Sequence, residues 1–347
     1  MRIGWTHVVA AIAAVFFGGM LIAWLGVIDI RASSGHWRAT NWFLHWVMRS
    51  SVRTAALGIE VPDLDNPAYL PLAAGHYEIA CADCHGSPER GRSPTVLAML
   101  PPPPDFREVV GQWSDAELFE IVRHGVRYTG MPAWPAANRD DEVWAMVAFL
   151  RRYHEMDAAE YRRLRGGPEG QGRALDDAAL SGCEACHASA RLNPNSLIPR
   201  IDGQSETYLV ASLKAFRSGL RPSGVMQTAV SALDDADVAR LAKIYARRSK
   251  NDRTIPEPPA LVRSGDPLRR IPACSTCHDK PGLNPAYPAL SGLSHDYIRN
   301  QLGLFVAGTR GGTAYRDLMT RAVRNLTAED IETLADYYGR PGETAPQ

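Results

Sequence analysis

Three times the chain reads Cys-x-x-Cys-His: Cys81, Cys84 and His85; Cys183, Cys186 and His187; Cys274, Cys277 and His278. These copies use all six cysteines of the 347 residues. A Cys-x-x-Cys pair by itself is compatible with a zinc half-site or a redox dithiol. A histidine directly after each pair, in three copies with no spare thiol, points instead to covalent attachment of a c-type haem. Each pair of thiols forms thioethers with the porphyrin vinyl groups, and the adjoining histidine becomes the proximal ligand of the iron. The expectation is three covalently bound haem c groups on Cys81 and Cys84, Cys183 and Cys186, and Cys274 and Cys277. His85, His187 and His278 are the iron ligands, and no thiol remains for a disulfide.

The opposite face of each iron needs a second ligand, sought among nine methionines and ten histidines. From 174 to 250, Met226 is the one methionine and His187 the one histidine, so a bis-histidine haem there would have to borrow from a neighbour. From 263 to 340 the candidates are Met319 and His295. A lone methionine at helical spacing ordinarily fills a core. Met226 and Met319, however, fall at matching positions of an internal repeat, where His295 matches Glu206 and reads as an exposed helix position. The first unit offers more choice: Met99, Met131, Met146, Met156, His124 and His154. Met131 is preferred, because Gly130-Met131-Pro132-Ala133-Trp134 reads as a loop between helices, freed by the glycine and stiffened by the proline. Met99, just before Pro101 to Pro104, is the second choice, and Met146 reads as core.

These residues need three small, mainly α-helical units to position them, spanning 70–161, 174–250 and 263–340. Gly166 to Gly172 and Thr254 to Pro259 read as linkers, and 341–347 as a frayed tail. The last two units are a repeat. Pro199, Gly203, Tyr208, Phe216, Gly219 and Arg221 recur as Pro288, Gly292, Tyr297, Phe305, Gly308 and Arg310. Met226, Leu233, Asp237, Leu241 and Tyr245 recur as Met319, Leu326, Asp330, Leu334 and Tyr338. Each unit closes with a capped helix: Asp140 or a neighbour before Val143, Val147 and Leu150; Asp234 before Val238, Leu241 and Tyr245; Thr327 before Ile331, Leu334 and Tyr338. Ser114 with Glu117 forms a capping box for a further helix. No run reads as a strand.

The N-terminus reads as a transmembrane anchor over 1–31. From Val8 to Ile30 the one charge is Asp29, a length that crosses about 30 Å of hydrocarbon. Trp5 and Trp24 stand near its ends, and Arg2 favours an N-terminus inside the cytoplasm. The alternative is a cleaved secretory signal, with Ala32 the best cleavage point, but the apolar run is longer than a signal core and Ile30 is bulky for such a site. Residues 32–69 form a juxtamembrane segment in which Trp42, Trp46, Met48 and Arg49 suggest an amphipathic helix on the membrane face or packed on the first unit. His36 and His45 there read as interfacial. Lysine plus arginine equal aspartate plus glutamate at 38 each, so bulk charge offers nothing to nucleic acid.

With motif first, methionine in a loop and a closing helix last, each unit resembles a class I cytochrome c. The second and third together resemble the tandem two-haem bacterial cytochromes of the c-four type, through Gly203-Gln204-Ser205-Glu206-Thr207-Tyr208 and the stretch from Met226 to Tyr245; Leu293 replaces the glutamine in the third. The first, with Trp113-Ser114-Asp115 and Gly130-Met131-Pro132, is similar to single-haem domains fused to oxidases and dehydrogenases. The resemblance covers about 70–340. It implies a mainly α fold of three tandem class I cytochrome c domains after an N-terminal transmembrane helix. It also implies an electron-transfer protein rather than an enzyme, because histidine–methionine ligation closes both faces of the iron. Arg221 and Arg310 are either partners of haem propionates or solvated surface arginines, and Tyr208 and Tyr297 are equally readable as helix packing. The expected protein sits in the cytoplasmic membrane with its haem domains in the periplasm. It would pass electrons from a quinol-oxidising complex or dehydrogenase to an oxidase or soluble carrier of the respiratory chain. A cytochrome subunit of a membrane-bound dehydrogenase ranks second and a haem peroxidase third. No pocket for a small-molecule substrate is marked.

Overall fold

A computed structural model describes residues 4–31, 33–35, 37–166, 177–189, 192–193, 195–248, 257–279 and 284–339. His36, the cleavage point at Ala32, and most of both linkers lie outside the described residues. The described residues are helical apart from turns and loops, with no strand and one isolated antiparallel bridge between Asp266 and Ile271. Helix α1 (Trp5–Trp24) buries none of its 20 residues. Helix α2 (Arg38–Ala55) has two sides. Arg49 donates to Gln112 at 2.8 Å and lies 5.0 Å over the Trp113 ring, while Arg53 faces Glu117 at 3.6 Å. Trp42, Phe43 and Trp46 are exposed, with the two indoles stacked at 6.3 Å.

The first packed body is built from α3 (Tyr69–Ala80), α4 (Ala82–His85), α5 (Pro94–Leu97), α6 (Phe106–Val109), α7 (Asp115–His124), α8 (Asp140–Tyr153) and α9 (Ala158–Arg165). Helix α3 crosses both α8 and α9. Tyr77 at the crossing is fully buried and sits 5.2 Å from the Phe149 ring and 5.3 Å from that of Tyr153, the tilted geometry aromatic pairs favour. Ser114 and Glu117 form the expected capping box on α7. On α8 the cap differs from expectation: Arg139 is the N-cap, its side chain caps no helix amide, and Asp140 is the first helical residue. Asp140, Asp141 and Glu142 instead complement the helix dipole at one end, with Arg151 and Arg152 at the other.

Next come α10 (Ala178–His187), α11 (Glu206–Arg217), α12 (Gly224–Val230) and α13 (Asp235–Arg247), with side-chain N-caps from Asp177, Ser205, Ser223 and Asp234. Then follow α14 (Ala260–Arg263), α15 (Ser275–His278), α16 (His295–Val306), α17 (Arg316–Val323) and α18 (Ala328–Gly339). The sequence repeat is a structural one: α11 crosses α13 as α16 crosses α18, and Met226 on α12 corresponds to Met319 on α17. Thr327 and Asp330 cap α18 reciprocally, at 2.8 and 3.2 Å. Arg269 binds both oxygens of Asp330 and, as the largest cause, holds its carboxyl down at about 2.

Polar seams join these bodies. Gln204 exchanges two hydrogen bonds with the Ala289 backbone, at 2.8 and 3.0 Å; Ser205 donates to the Pro285 carbonyl and Ser294 to that of Ser196. Leu293, at the place of that glutamine, is buried in its own core. Another seam gathers on Glu142, which is 4 % exposed. It accepts from Trp134 Nε1 at 3.2 Å, Ser223 Oγ at 2.5 Å and the Gly224 amide at 2.6 Å, and faces Arg139 at 2.9 Å. Arg139 also donates to the Pro222 carbonyl at 2.8 Å, and Asp141 accepts from Asn300 at 3.0 Å. Burial works against the charge of Arg139, but Glu142 and Asp141 keep it protonated, above the usual range.

Removing one member of a buried ion pair strands the other, at a cost of about 3–5 kcal/mol. Glu142→Ala is therefore expected to lower the melting temperature and admit protease between the first and second bodies, read by calorimetry and limited proteolysis. Asp330, with its pKa depressed, contributes stability that is present above 3.8 and lost as pH falls through about 2. Arg269→Ala should lower stability at neutral pH and flatten the acid dependence in that window, as followed by denaturant titration.

Candidate haem sites

Helical geometry places the two cysteines and the histidine of each motif within one turn. Cys81 ends α3, and Cys84 and His85 lie on α4; α10 carries Cys183, Cys186 and His187; Cys274 caps α15, which carries Cys277 and His278. None of the six is in a disulfide. Burial pushes the Cys81 thiol up to about 12 and those of Cys183 and Cys274 up to about 11. A redox dithiol works through a lowered thiol pKa, which is the reverse of these surroundings. Among the described residues, no three His, Cys, Asp or Glu gather as a metal cage.

The three motif histidines share one arrangement. His85 Nδ1 is 3.0 Å from the Pro104 carbonyl, His187 Nδ1 2.9 Å from that of Pro199, and His278 Nδ1 2.9 Å from that of Pro288. A carbonyl can only accept, so each Nδ1 donates and each Nε2 keeps its lone pair for a metal. Burial lowers the pKa of all three, which keeps the rings neutral. His85 is further fixed by stacking on Phe106 at 4.1 Å.

The closing helix of each body reaches back to its motif through a tyrosine. Tyr153 donates to the Gly86 carbonyl at 3.3 Å, beside Tyr77 of α3 at 2.7 Å; Tyr245 donates to Glu184 at 2.6 Å; Tyr338 donates to Asp279 at 3.1 Å. Met131, Met226 and Met319 are all half-buried. The Met131 amide donates to Thr129 Oγ1 at 3.1 Å, and its carbonyl accepts from Val126 at 3.2 Å. Gly125 turns this loop at φ +63°, where an added Cβ would stand 2.5 Å from the Met131 carbonyl oxygen. Met99 lies beside the same loop, its methyl 2.7 Å from a Cβ built on Gly130. Met146 and Met156 are core residues, and His124 and His154 point largely to solvent. His295 faces Asp296, Glu332 and Asp336.

Arg221 and Arg310 are not surface residues: they are 6 % and 8 % exposed. Arg221 donates to Tyr208, Ser212, Tyr297 and Gln301, and Arg310 to Gln301 and the Gly311 carbonyl. No carboxylate is among these partners. Burial and the neighbouring Arg221 push Arg310 down to about 10; burial resists ionisation of Tyr208, yet the two guanidiniums draw its phenol to about 8. Two buried cations among neutral partners fit an anionic group such as a haem carboxylate. Together the thiols, Nε2 atoms and arginines fit haem c. Sequence reading missed Pro104 as a histidine partner, the buried Glu142, and His76, whose one visible signal is a histidine within the apolar stretch Ala73-Ala74-Gly75-His76-Tyr77.

The family profile described as "Cytochrome C oxidase, cbb3-type, subunit III" matches residues 71–150. The thiosulfate dehydrogenase electron acceptor of Thiomonas intermedia is 32% identical over 158 residues, 42% of this chain and 73% of that protein. The chain belongs to the class I c-type cytochromes. Cytochrome c4 of Pseudomonas aeruginosa is 28% identical over 172 residues, 47% of this chain and 86% of that protein. The solved cytochrome c4 of Acidithiobacillus ferrooxidans is 29% identical, covers 45% of this chain and 96% of its own, and has a TM-score of 0.39. This cytochrome is an electron carrier of the c4 kind, mainly α-helical, with covalent haem c as its cofactor.

A side chain at Gly125 would force a left-handed backbone and a clash with the Met131 loop. Gly125→Ala is expected to destabilise the cytochrome by about 1–3 kcal/mol, read as a fall in melting temperature.

Proposed function

We propose that this cytochrome is a membrane-anchored three-haem electron carrier of the respiratory chain, with its haem units in the periplasm. The observation that carries the reading is the threefold recurrence of a cysteine pair, a histidine with Nδ1 tied to a proline carbonyl, and a half-buried methionine. When bound, each haem c supplies a one-electron iron couple. The cysteine pairs would hold it covalently, and His85, His187 and His278, through Nε2, together with Met131, Met226 and Met319, would supply the ligands to its iron. A thioether opposite an imidazole raises the potential relative to two imidazoles. The proline carbonyls and the tyrosines from the closing helices keep these ligands still, so little rearranges when charge changes. Arg221 and Arg310, both buried, would pair with haem carboxylates and shield them from water.

Helix α1 supports anchoring in the cytoplasmic membrane with the N-terminus inside. It is long and apolar enough to cross, though a signal sequence passes the same test. The exposed aromatic side of α2 suits the lipid headgroup level. Electrons would enter from a quinol-oxidising complex or a dehydrogenase and leave to an oxidase or soluble carrier. The relatives named as electron acceptors of thiosulfate dehydrogenase favour a redox enzyme on the donor side. They also favour a second reading, a cytochrome subunit of a dehydrogenase complex.

A redox titration of the full chain in nanodiscs, followed by visible and near-infrared absorption, tests this. Three low-spin haems with methionine–iron charge-transfer absorption are expected, and Met131→Ala, Met226→Ala and Met319→Ala should each remove one contribution and lower one potential. A high-spin haem that reacts with peroxide in the wild type would overturn the carrier reading in favour of a peroxidase.

A further inference from the structure

Helix α3 belongs to the first body but also touches the second site. It packs against α10, which carries Cys183, Cys186 and His187, and against α12, which carries Met226. These are the two elements between which the second haem would be held, so α3 spans the seam of that pocket. The two helices come close at Gly75, where a Cβ would lie 2.9 Å from Cys186 Sγ. The next residue, His76, is 2 % exposed and packs on the Trp134 ring at 4.6 Å. Trp134 in turn abuts Gly224, leaving no room there for a side chain, and both bind Glu142.

His76 Nδ1 has no hydrogen-bond partner, one of three such buried side-chain atoms among the described residues. Buried polar atoms are normally paired, and this one lies where α3 faces the attachment helix of another unit. Burial lowers the imidazole to about 4, so at neutral pH the ring is uncharged and can donate or accept. The surroundings suit contact with a cofactor edge: a close approach permitted by glycine, an aromatic wall, and one unsatisfied nitrogen.

We propose that the Gly75–His76 face of α3 closes over the Cys186 edge of the second haem, which makes the first and second haems direct electron-exchange partners. The same helix ends at Cys81, so one rigid element links the attachment sites of both. His76 is a positioning residue in this contact. The inference rests on the three-haem reading of the preceding section.

The test uses the full-length holoprotein with His76→Leu, His76→Gln and Gly75→Val. Midpoint potentials are titrated, and electron equilibration among the haems is followed after one-electron photoreduction. Wild type must first show three low-spin haems; if it does not, the three-haem reading has failed and this inference falls with it. Given three haems, His76→Leu should shift the potential of the one haem that Met226→Ala also alters, and His76→Gln should restore it. Gly75→Val, by holding α3 away from Cys186, should slow equilibration. Unchanged potentials and rates in His76→Leu and Gly75→Val, or a shift confined to the first or third haem, would overturn the proposal while leaving the three-haem reading intact.

Discussion

A buried imidazole can offer one nitrogen to a metal only when the proton sits on the other and has somewhere to go. In this cytochrome the somewhere is a proline carbonyl, found in all three units at nearly the same distance. Proline suits the role because its fixed φ stiffens the loop that holds the carbonyl up. The ring is thus oriented and its tautomer is set before any cofactor arrives. The tyrosines of the closing helices then tie the long helix of each unit to the same few atoms. The fold is arranged around keeping three imidazoles from turning.

What was legible in the sequence was what depends on spacing along it. The capping of α7, α13 and α18 is settled within a few residues, and the correspondence of α12 with α17 follows from the repeat. The N-terminus of α8 was read less well, because three consecutive acidic residues look like a cap and here serve the helix dipole and a neighbouring unit instead. Partners far apart in the chain were not legible at all. Glu142 meets Ser223 across 81 residues and Arg221 meets Tyr297 across 76. Nothing local marks such a glutamate as buried, or such an arginine as lacking a carboxylate.

Joining units through buried polar groups is costly unless every donor and acceptor is met. Glu142 meets that condition with an indole, a hydroxyl, an amide and a guanidinium. Such a junction tolerates no sliding, since a small displacement would strand several groups together. It fixes the register of the first unit against the helix carrying Met226.

The seam between the second and third units has a further property. Ser205 reaches the Pro285 carbonyl and Ser294 reaches that of Ser196. Each bond becomes the other under a shift of 89 positions, since 294 − 205 and 285 − 196 are equal. The two units therefore meet through the same patch, as the halves of a twofold dimer do. Such symmetry is closed: each unit's copy of the patch is consumed by the other, and no further repeat can be stacked by this means. The first unit joins this pair through a different surface with different chemistry, the one centred on Glu142.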